Sequence, residues 1–207
     1  MSDERLAELA RLGSATVHEA AARAPYVDAD LQQIIPGSRA AGPARTVLCG
    51  QDDNLMVHAA MERIEPGDVL VLTMPQARPV ALLGDLLATQ AKVAGAAAVL
   101  VDASVRDVED LARMGLPIWA RWVRVRGASK EAVGAIDVPV TVGGAQINPG
   151  DIVVLDVDGV AIVEPARLDE VLAASLEREQ KERVKREKLQ RGERSYDLDG
   201  LRALVEA

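Results

Sequence analysis

The chain has 207 residues, of which 49% are apolar, so its length suits one domain with a full core and room for an appendage. Its net charge of −8 and its 2% aromatic content argue against nucleic-acid binding, and the single Cys49 excludes an intramolecular disulfide framework and a Cys-rich metal site. There is no run of about 18 apolar residues, and the N-terminus is polar and amphipathic. We therefore expect a cytoplasmic protein with no membrane segment.

Helical and extended patterns alternate through the first part of the chain. Three leucines share one face of a helix predicted over residues 3–12, and GSATVHEAAAR restarts a helix. A strand in AAGPARTVLCG is followed by two helix–strand units, DNLMVHAAMERIEPGDVLVLTM and PVALLGDLLATQAKVAGAAAVLVD, and the strand of the second unit is predicted to end at Val101. A short helix in VRDVEDLARMG and a further strand complete the series. This alternation predicts an α/β fold.

The character of the sequence changes twice after that. Residues 137–164 hold short apolar runs separated by Gly-Gly, Pro-Gly and Asp-Gly turns, which predict β-hairpins, and IEPGDVLVL recurs as INPGDIVVL with the same turn chemistry. From Leu168 a long, charged helix extends to Gly192, and a last short helix follows. We therefore divide the chain into an α/β domain, 1–167, and a C-terminal helical extension, 168–207.

A charge cluster at the end of one predicted strand is the first candidate site. Ligands of α/β sheets bind beyond the carboxyl ends of strands, where Arg106 and Asp107 lie. A guanidinium fits a carboxylate, and an aspartate suits a hard divalent metal such as Mg²⁺. In the alternative, Asp102 or Ser104 caps the helix and Arg106 pairs with a surface acid.

The segment Gly84–Leu87 is the second candidate site. Gly84 allows a ligand to approach the backbone, and Asp85 lies near a helix start whose amides can hold a carboxylate. The alternative is an ordinary acidic first turn. We interpret His18 and His58 as packed helix residues, and no lysine lies in an apolar strand where burial would tune it for Schiff-base chemistry.

The stretch GDLLATQAKVAGAAAVLVDASVRDVEDLARMGLPIWAR resembles the core of the RraA-like proteins. That family includes class II pyruvate aldolases acting on 4-hydroxy-4-methyl-2-oxoglutarate and 4-carboxy-4-hydroxy-2-oxoadipate, and a shorter regulator of ribonuclease E. The resemblance extends from about Gly13 to Arg202. It implies a β/β/α swivelling-domain fold, homotrimers or homohexamers, and active sites at subunit interfaces, with the extension packed there.

The resemblance also implies roles for individual residues. Arg106 would bind the carboxylate and carbonyl of pyruvate, and Asp107 would hold Mg²⁺ or Mn²⁺, mostly through waters. Asp85 would position a water that protonates the enolate, and backbone amides of Gly84, Asp85, Leu86 and Leu87 would contact the substrate. A tail glutamate of the neighbouring subunit would complete the catalytic set, Glu182 before Glu179 or Glu193.

Two departures from the family pattern concern substrate choice. Asp102 is followed by Ala103 where the family usually has glycine, so a β-carbon at that turn is expected to shift the loop or narrow the pocket. The segment VLTMPQARPVALLG also replaces a strand end that often carries an acidic residue.

The expected function is a metal-dependent lyase that cleaves a 4-hydroxy-2-oxo acid to pyruvate and a second oxo acid, with oxaloacetate decarboxylation as a side activity. The alternative is a non-catalytic regulator that masks a partner such as a ribonuclease. A structural oligomer that has lost activity is a third interpretation.

Overall fold

The computed structural model describes residues 4–23 and 25–206, so the predicted start of the first helix at residue 3 lies outside the described residues. The helices are α1 (Glu4–Leu12), α2 (Ser14–Ala20), α3 (Leu55–Ala60), α4 (Asp85–Ala94), α5 (Val108–Met114), α6 (Leu168–Gln190), α7 (Ser195–Leu198) and α8 (Arg202–Val205). The strands are β1 (Gln32–Gln33), β2 (Ala40–Leu48), β3 (Val69–Thr73), β4 (Ala81–Leu83), β5 (Ala98–Val105), β6 (Ile118–Val123), β7 (Ala135–Ile136), β8 (Val140–Val142), β9 (Ala145–Ile147), β10 (Ile152–Leu155) and β11 (Val160–Val163).

Four parallel strands, in the spatial order β6-β5-β3-β2, form the centre of the main sheet. Antiparallel strands extend it on both sides, β1 beside β6, and β10 with β11 beyond β2. Every residue of β3 and β5 is buried, because layers cover both faces of the sheet, and both strands are therefore mostly apolar in sequence. The predicted α/β class is confirmed.

Alternate side chains of β5 enter two different cores. Val99 and Val101 pack with helices α3, α4 and α5, whereas Ala98 and Leu100 pack with the β8–β9 hairpin and the inner faces of β10 and β11. The outer faces of β10 and β11 pack against α1, α2 and the start of α6. This alternation follows from the two-residue period of a strand.

The repeated Pro-Gly-Asp phrase forms the same turn twice, as predicted. The Asp68 amide donates to the Glu65 carbonyl at 3.0 Å, and the Asp151 amide donates to the Asn148 carbonyl at 3.1 Å. Each aspartate also accepts a hydrogen bond on its side chain from the amide three residues before it. The glycines have φ values of +99° at Gly67 and +84° at Gly150, which side chains rarely adopt.

The C-terminal extension begins as a docked helix and continues as an exposed one. Leu168, Val171 and Ser175 of α6 are buried, and this part of the helix packs on α1 and α2. Beyond them the side chains of α6 are exposed or only partly buried. The predicted last short helix is instead two short helices, α7 and α8, and the division into two domains stays a prediction.

No helix in the described ranges is both long and apolar enough to cross a membrane.

Strand β5 is longer than the sequence pattern predicts, because it continues beyond Val101 to Val105. The buried Asp102 lies within the strand, where the guanidinium of Arg121 on β6 neutralises it. The hypothesis that Asp102 or Ser104 caps the following helix is therefore wrong. Ala103 is also fully buried within β5, in the core between the sheet and α3–α5, so it does not form the expected turn.

Candidate active site

Two neighbouring strand ends bring the predicted site residues together. Strands β4 and β5 are parallel, and Leu83 at the end of β4 pairs in register with Val105 at the end of β5. The amide of Arg106 donates to the carbonyl of Leu83 at 3.1 Å, so the connection is held just beyond the strands. Gly84 and Arg106 follow directly, and the two candidate segments form one site at the carboxyl edge of the sheet.

Asp107 has an unusual backbone that aims its carboxylate at the start of α4. Its φ and ψ are +59° and +38°, a left-handed conformation that aspartate tolerates better than most residues. Although it precedes α5, its side chain makes no capping hydrogen bond to that helix. Instead its Oδ2 accepts a hydrogen bond from the Asp85 amide at 3.3 Å and lies 3.4 Å from Nε of Arg106. The carboxylate thus links the two segments.

Gly84 is required at this position because of space. A β-carbon on it would lie 2.6 Å from Oδ2 of Asp107 and 3.1 Å from Nε of Arg106. The backbone of Gly84 is extended, so its φ value does not demand glycine. The Gly-Asp pair of the sequence therefore makes room for the Arg-Asp pair.

The N-terminus of α4 supplies hydrogen-bond donors to the same place. The first amide that bonds within this ten-residue helix is that of Ala88, which donates to the Gly84 carbonyl at 3.0 Å. The amides of Leu86 and Leu87 precede it and have no acceptor within the helix. Together with the helix dipole they favour an anionic group.

Arg106 and the start of α4 line a cavity of about 140 Å³. Five predicted residues line it: Gly84, Asp85, Leu86, Leu87 and Arg106. The Arg106 side chain is 51% exposed, and its only ion pair among the described residues is the one with Asp107, so its outer nitrogens can reach a ligand. Asp107 does not line the cavity itself. Its carboxylate accepts a hydrogen bond from the amide of Asp85, which does line it.

The carboxylates present fit a metal that keeps much of its water. Within residues 4–23 and 25–206, no group of three His, Cys, Asp or Glu side chains lies close enough together to bind a metal ion. Oδ1 of Asp107 has no hydrogen-bond partner in this same part of the chain, since Oδ2 makes the contacts to Asp85 and Arg106. One carboxylate oxygen with waters is a usual ligand set for Mg²⁺, whereas a structural zinc ion needs four protein ligands.

The tail glutamates lie apart from this cavity within one chain. Glu182 pairs with Arg178 at 2.9 Å and lines a different cavity, between α2 and α6. Glu179 binds Arg11 through two hydrogen bonds of 2.6 and 2.7 Å, and Glu193 lies 3.7 Å from Arg191. The structure therefore does not bring Glu182 to Arg106 in a single subunit.

Three polar side chains that sequence reasoning did not assign to the site also line the cavity: Asn54, His58 and Lys130. His58 is exposed on α3, so its interpretation as a packed residue is wrong. Lys130 belongs to the loop after β6. No local signal marks these residues, because they join Arg106 only through the tertiary fold.

Comparison with known proteins identifies the family. A family model described as RraA-like, Aldolase/RraA, matches residues 14–162. This chain belongs to the RraA-like family. Within the family, it is 37% identical over 131 residues to a protein of Halalkalibacterium halodurans named "Putative 4-hydroxy-4-methyl-2-oxoglutarate aldolase", covering 63% of this chain and 62% of that protein. A Burkholderia mallei protein of the same name is 36% identical over 131 residues, covering 63% of this chain and 79% of that protein.

A solved structure confirms the fold. The crystal structure of RraAS2 from Streptomyces coelicolor, described as an unusual member of the RNase ES inhibitor RraA protein family, is 32% identical and superposes with a TM-score of 0.79. The match covers 90% of this chain and 97% of RraAS2. The expected RraA-like β/β/α swivelling-domain fold with a C-terminal helix is therefore confirmed, and the relatives' names support membership of the aldolase family.

Proposed function

We propose that this RraA-like protein is a divalent-metal-dependent lyase that cleaves a 4-hydroxy-2-oxo acid to pyruvate and a second oxo acid. The observation that carries the proposal is that Arg106 and the free amides of α4 line one cavity, while the carboxylate of Asp107 lies directly behind it against the Asp85 amide and Arg106. The aldolase names of two relatives support the same reaction class. The substrates we propose are of the 4-hydroxy-4-methyl-2-oxoglutarate or 4-carboxy-4-hydroxy-2-oxoadipate type.

The pyruvate half of the substrate fits the first set of lining groups. The amides of Leu86 and Leu87 and the positive end of α4 suit the C1 carboxylate. The guanidinium of Arg106 can donate to the C2 carbonyl oxygen and to the carboxylate beside it. When C3–C4 cleavage leaves its electron pair as the enolate of pyruvate, Arg106 stabilises the charge that develops on this oxygen.

Asp107 would hold the metal, Mg²⁺ or Mn²⁺, through its uncommitted Oδ1 and ordered waters. When bound, such a cation polarises the C2 carbonyl as a Lewis acid. Asp85 lies beside the enolate position, where it would hold the water that returns a proton to C3. Oxaloacetate decarboxylation passes through the same enolate, so we propose it as a side activity.

Removal of the C4 hydroxyl proton requires a base. We propose that Glu182 of a neighbouring subunit supplies it, directly or through water, in a homotrimer or homohexamer. Its place on the exposed part of α6 leaves it accessible to another copy of the chain. The isolated monomer would then lack the cleavage activity.

A regulatory role is the second candidate, because RraAS2 is described as a member of a ribonuclease inhibitor family. Such a protein would bind and mask a partner without using the cavity chemically. The two functions differ in whether pyruvate is released.

The deciding experiment measures pyruvate release from oxaloacetate and from 4-carboxy-4-hydroxy-2-oxoadipate, with Mg²⁺ and with EDTA. We expect metal-dependent release by the wild type and loss of at least about 100-fold in Asp107→Ala, by analogy with the removal of a transition-state donor. Glu182→Gln should lower cleavage of the hydroxy acid more than decarboxylation, because only cleavage removes the hydroxyl proton.

Asp110→Ala is the matched control, because Asp110 is an exposed acid of α5 that pairs with Arg113 away from the cavity. It should keep wild-type rates. If the wild type releases no pyruvate from either substrate, the lyase proposal fails and the regulatory role is favoured.

A further inference from the structure

The guanidinium of Arg106 lies against two glycines that come from different loops, Gly84 and Gly127. A β-carbon on Gly84 would lie 3.1 Å from Nε of Arg106, and a β-carbon on Gly127 would lie 3.0 Å from its Nη1. Both distances are shorter than most contacts that real β-carbons make. Neither glycine has a positive φ, so the need for space, and not the backbone conformation, accounts for glycine at both positions.

The loop that carries Gly127 is anchored on both sides of this residue. Before it, the carbonyl of Arg126 accepts a hydrogen bond at 2.7 Å from the amide of Ala81, the first residue of β4. After it, the carbonyl of Ser129 accepts a hydrogen bond at 2.9 Å from the amide of Asn54. Gly127 therefore lies between fixed points on β4 and on the segment that precedes α3.

The carboxylate of Asp53 is the strongest of these anchors. Asp53 is completely buried, and its Oδ2 accepts hydrogen bonds from the Ser129 hydroxyl at 2.7 Å and from the amides of Glu131 and Ala132 at 2.6 and 3.1 Å. Its Oδ1 accepts a fourth hydrogen bond, from the Leu55 amide at 2.8 Å. One carboxylate thus ties the loop to the start of α3.

Only an ionised carboxyl group can make this set of hydrogen bonds. Burial by itself raises the pKa of the Asp53 carboxyl, but its four hydrogen bonds outweigh burial and hold that pKa well below the ordinary value. A side-chain amide of the same shape has one acceptor oxygen and one donor NH₂ group, so it cannot accept on both sides. Asp53→Asn therefore places donors against donors, and we expect the loop to open more often.

We infer that Asp53 and Gly127 are positioning residues for Arg106. The Asp53 carboxylate fixes the loop, and the absence of a side chain at Gly127 sets where the guanidinium can lie. Neither residue lines the cavity itself. The inference rests on the proposed function, in which Arg106 stabilises the charge of the enolate. Because such stabilisation requires donors that are aimed where the charge develops, even a small displacement of the guanidinium lowers the rate.

A double-mutant cycle on oxaloacetate decarboxylation tests the role of Gly127. Gly127→Ala should lower kcat about 3- to 10-fold and change KM less than about twofold, because it displaces a donor to the transition state. In Arg106→Lys, which lacks Nη1, the same substitution should cost less than about a further twofold. Additive losses in the two backgrounds, or no loss from Gly127→Ala, would overturn the positioning role. Val125→Ala is the matched control, because this position of the same loop is 93% exposed, and it should change neither constant.

Amide hydrogen exchange followed by mass spectrometry tests the role of Asp53 independently of activity. Asp53→Asn should speed exchange of the loop peptide 127–134 about 10- to 100-fold, because the amides of Glu131 and Ala132 lose their acceptor. Peptides from β10 and β11 should exchange as in the wild type, and kcat should fall roughly 10-fold. Unchanged exchange of the loop, or faster exchange throughout the chain, would overturn the role of Asp53 as an anchor of this loop.

Asp52→Asn is the matched control for the buried aspartate. The hydrogen bonds of the Asp52 carboxylate are with side chains, those of Gln51, Arg78 and Arg126, so loop exchange and kcat should both stay near the wild-type values. If the wild type releases no pyruvate, the lyase proposal fails and the positioning role falls with it. An active wild type whose Asp53→Asn variant keeps full kcat overturns the positioning role alone.

Discussion

Two Arg–Asp pairs at strand β5 show how the same residue types serve different ends. Arg121 and Asp102 meet inside the sheet, where their side chains are 23% and 6% exposed, and the guanidinium also lies 5.9 Å from the ring of Trp122. Arg106 and Asp107 meet just beyond the strand, where their side chains are 51% and 34% exposed. Nε of Arg106 lies 3.4 Å from Oδ2 of Asp107, which is longer than a strong hydrogen bond. The first pair is largely buried and joined by a direct hydrogen bond from Nε of Arg121 to Oδ1 of Asp102, whereas the second is more exposed, so that the outer nitrogens of Arg106 can reach a ligand.

Exposure, not charge itself, distinguishes the pair that we propose to be functional. Asp102, Arg106 and Asp107 all lie in the short stretch DASVRD, and Arg121 lies on the neighbouring strand β6. Each pair joins one arginine to one aspartate, so residue type alone does not tell them apart. The bond to Arg121 uses the Asp102 carboxylate for structure, because a charge left unpaired at that depth would be costly. Asp107 can remain partly unpaired because it lies at an open edge.

The strongest test of this distinction is removal of the outer arginine. Arg106→Ala should lower kcat/KM for pyruvate release by about 100- to 1,000-fold, equivalent to about 3–4 kcal/mol of transition-state stabilisation. The free energy of unfolding should change by less than about 0.5 kcal/mol, because the side chain is half exposed. A coupled pyruvate assay and urea unfolding measure the two effects. Near-normal turnover would remove Arg106 from the mechanism.

Removal of the inner arginine should have the converse effect. Arg121→Met leaves the Asp102 charge unpaired, and we expect it to lower the free energy of unfolding by about 2–3 kcal/mol, somewhat less than the roughly 3–5 typical of fully buried pairs. Activity per folded molecule should stay within about threefold. Urea titrations at one fixed protein concentration check this, since assembly would make stability depend on concentration. A selective loss of activity with unchanged stability would contradict the structural role of this pair.

The smallest effect is expected at the residue between the two pairs. Ala103→Gly restores the residue that the family usually carries, but Ala103 is fully buried within β5 and does not line the cavity. The substitution should cost about 1 kcal/mol through lost packing and added backbone freedom in the unfolded chain. Substrate preference should not change, as measured by the ratio of kcat/KM for the two aldol substrates. A changed ratio would show that Ala103 does shape the pocket.

The sequence by itself determined the α/β class, the two Pro-Gly-Asp turns, the long C-terminal helix and half of the candidate site. These features depend on residues close together in the chain, such as the apolar alternation of strands and the glycine that leaves space before Asp85. The two site segments, Gly84–Leu87 and Arg106–Asp107, could be predicted for the same reason, because each directly follows an apolar strand.

Only the tertiary structure decided how β5 ends and which other residues reach the cavity. Asp102 can stay inside a strand because its partner Arg121 is on the neighbouring strand, a contact that no local pattern records. Asn54 and Lys130 likewise line the same cavity because hydrogen bonds between residues 53–54 and 129–132 close a long loop. The physical reason is the same in both cases. Propensity and periodicity act between near neighbours, whereas the satisfaction of buried polar groups depends on what the folded chain brings beside them.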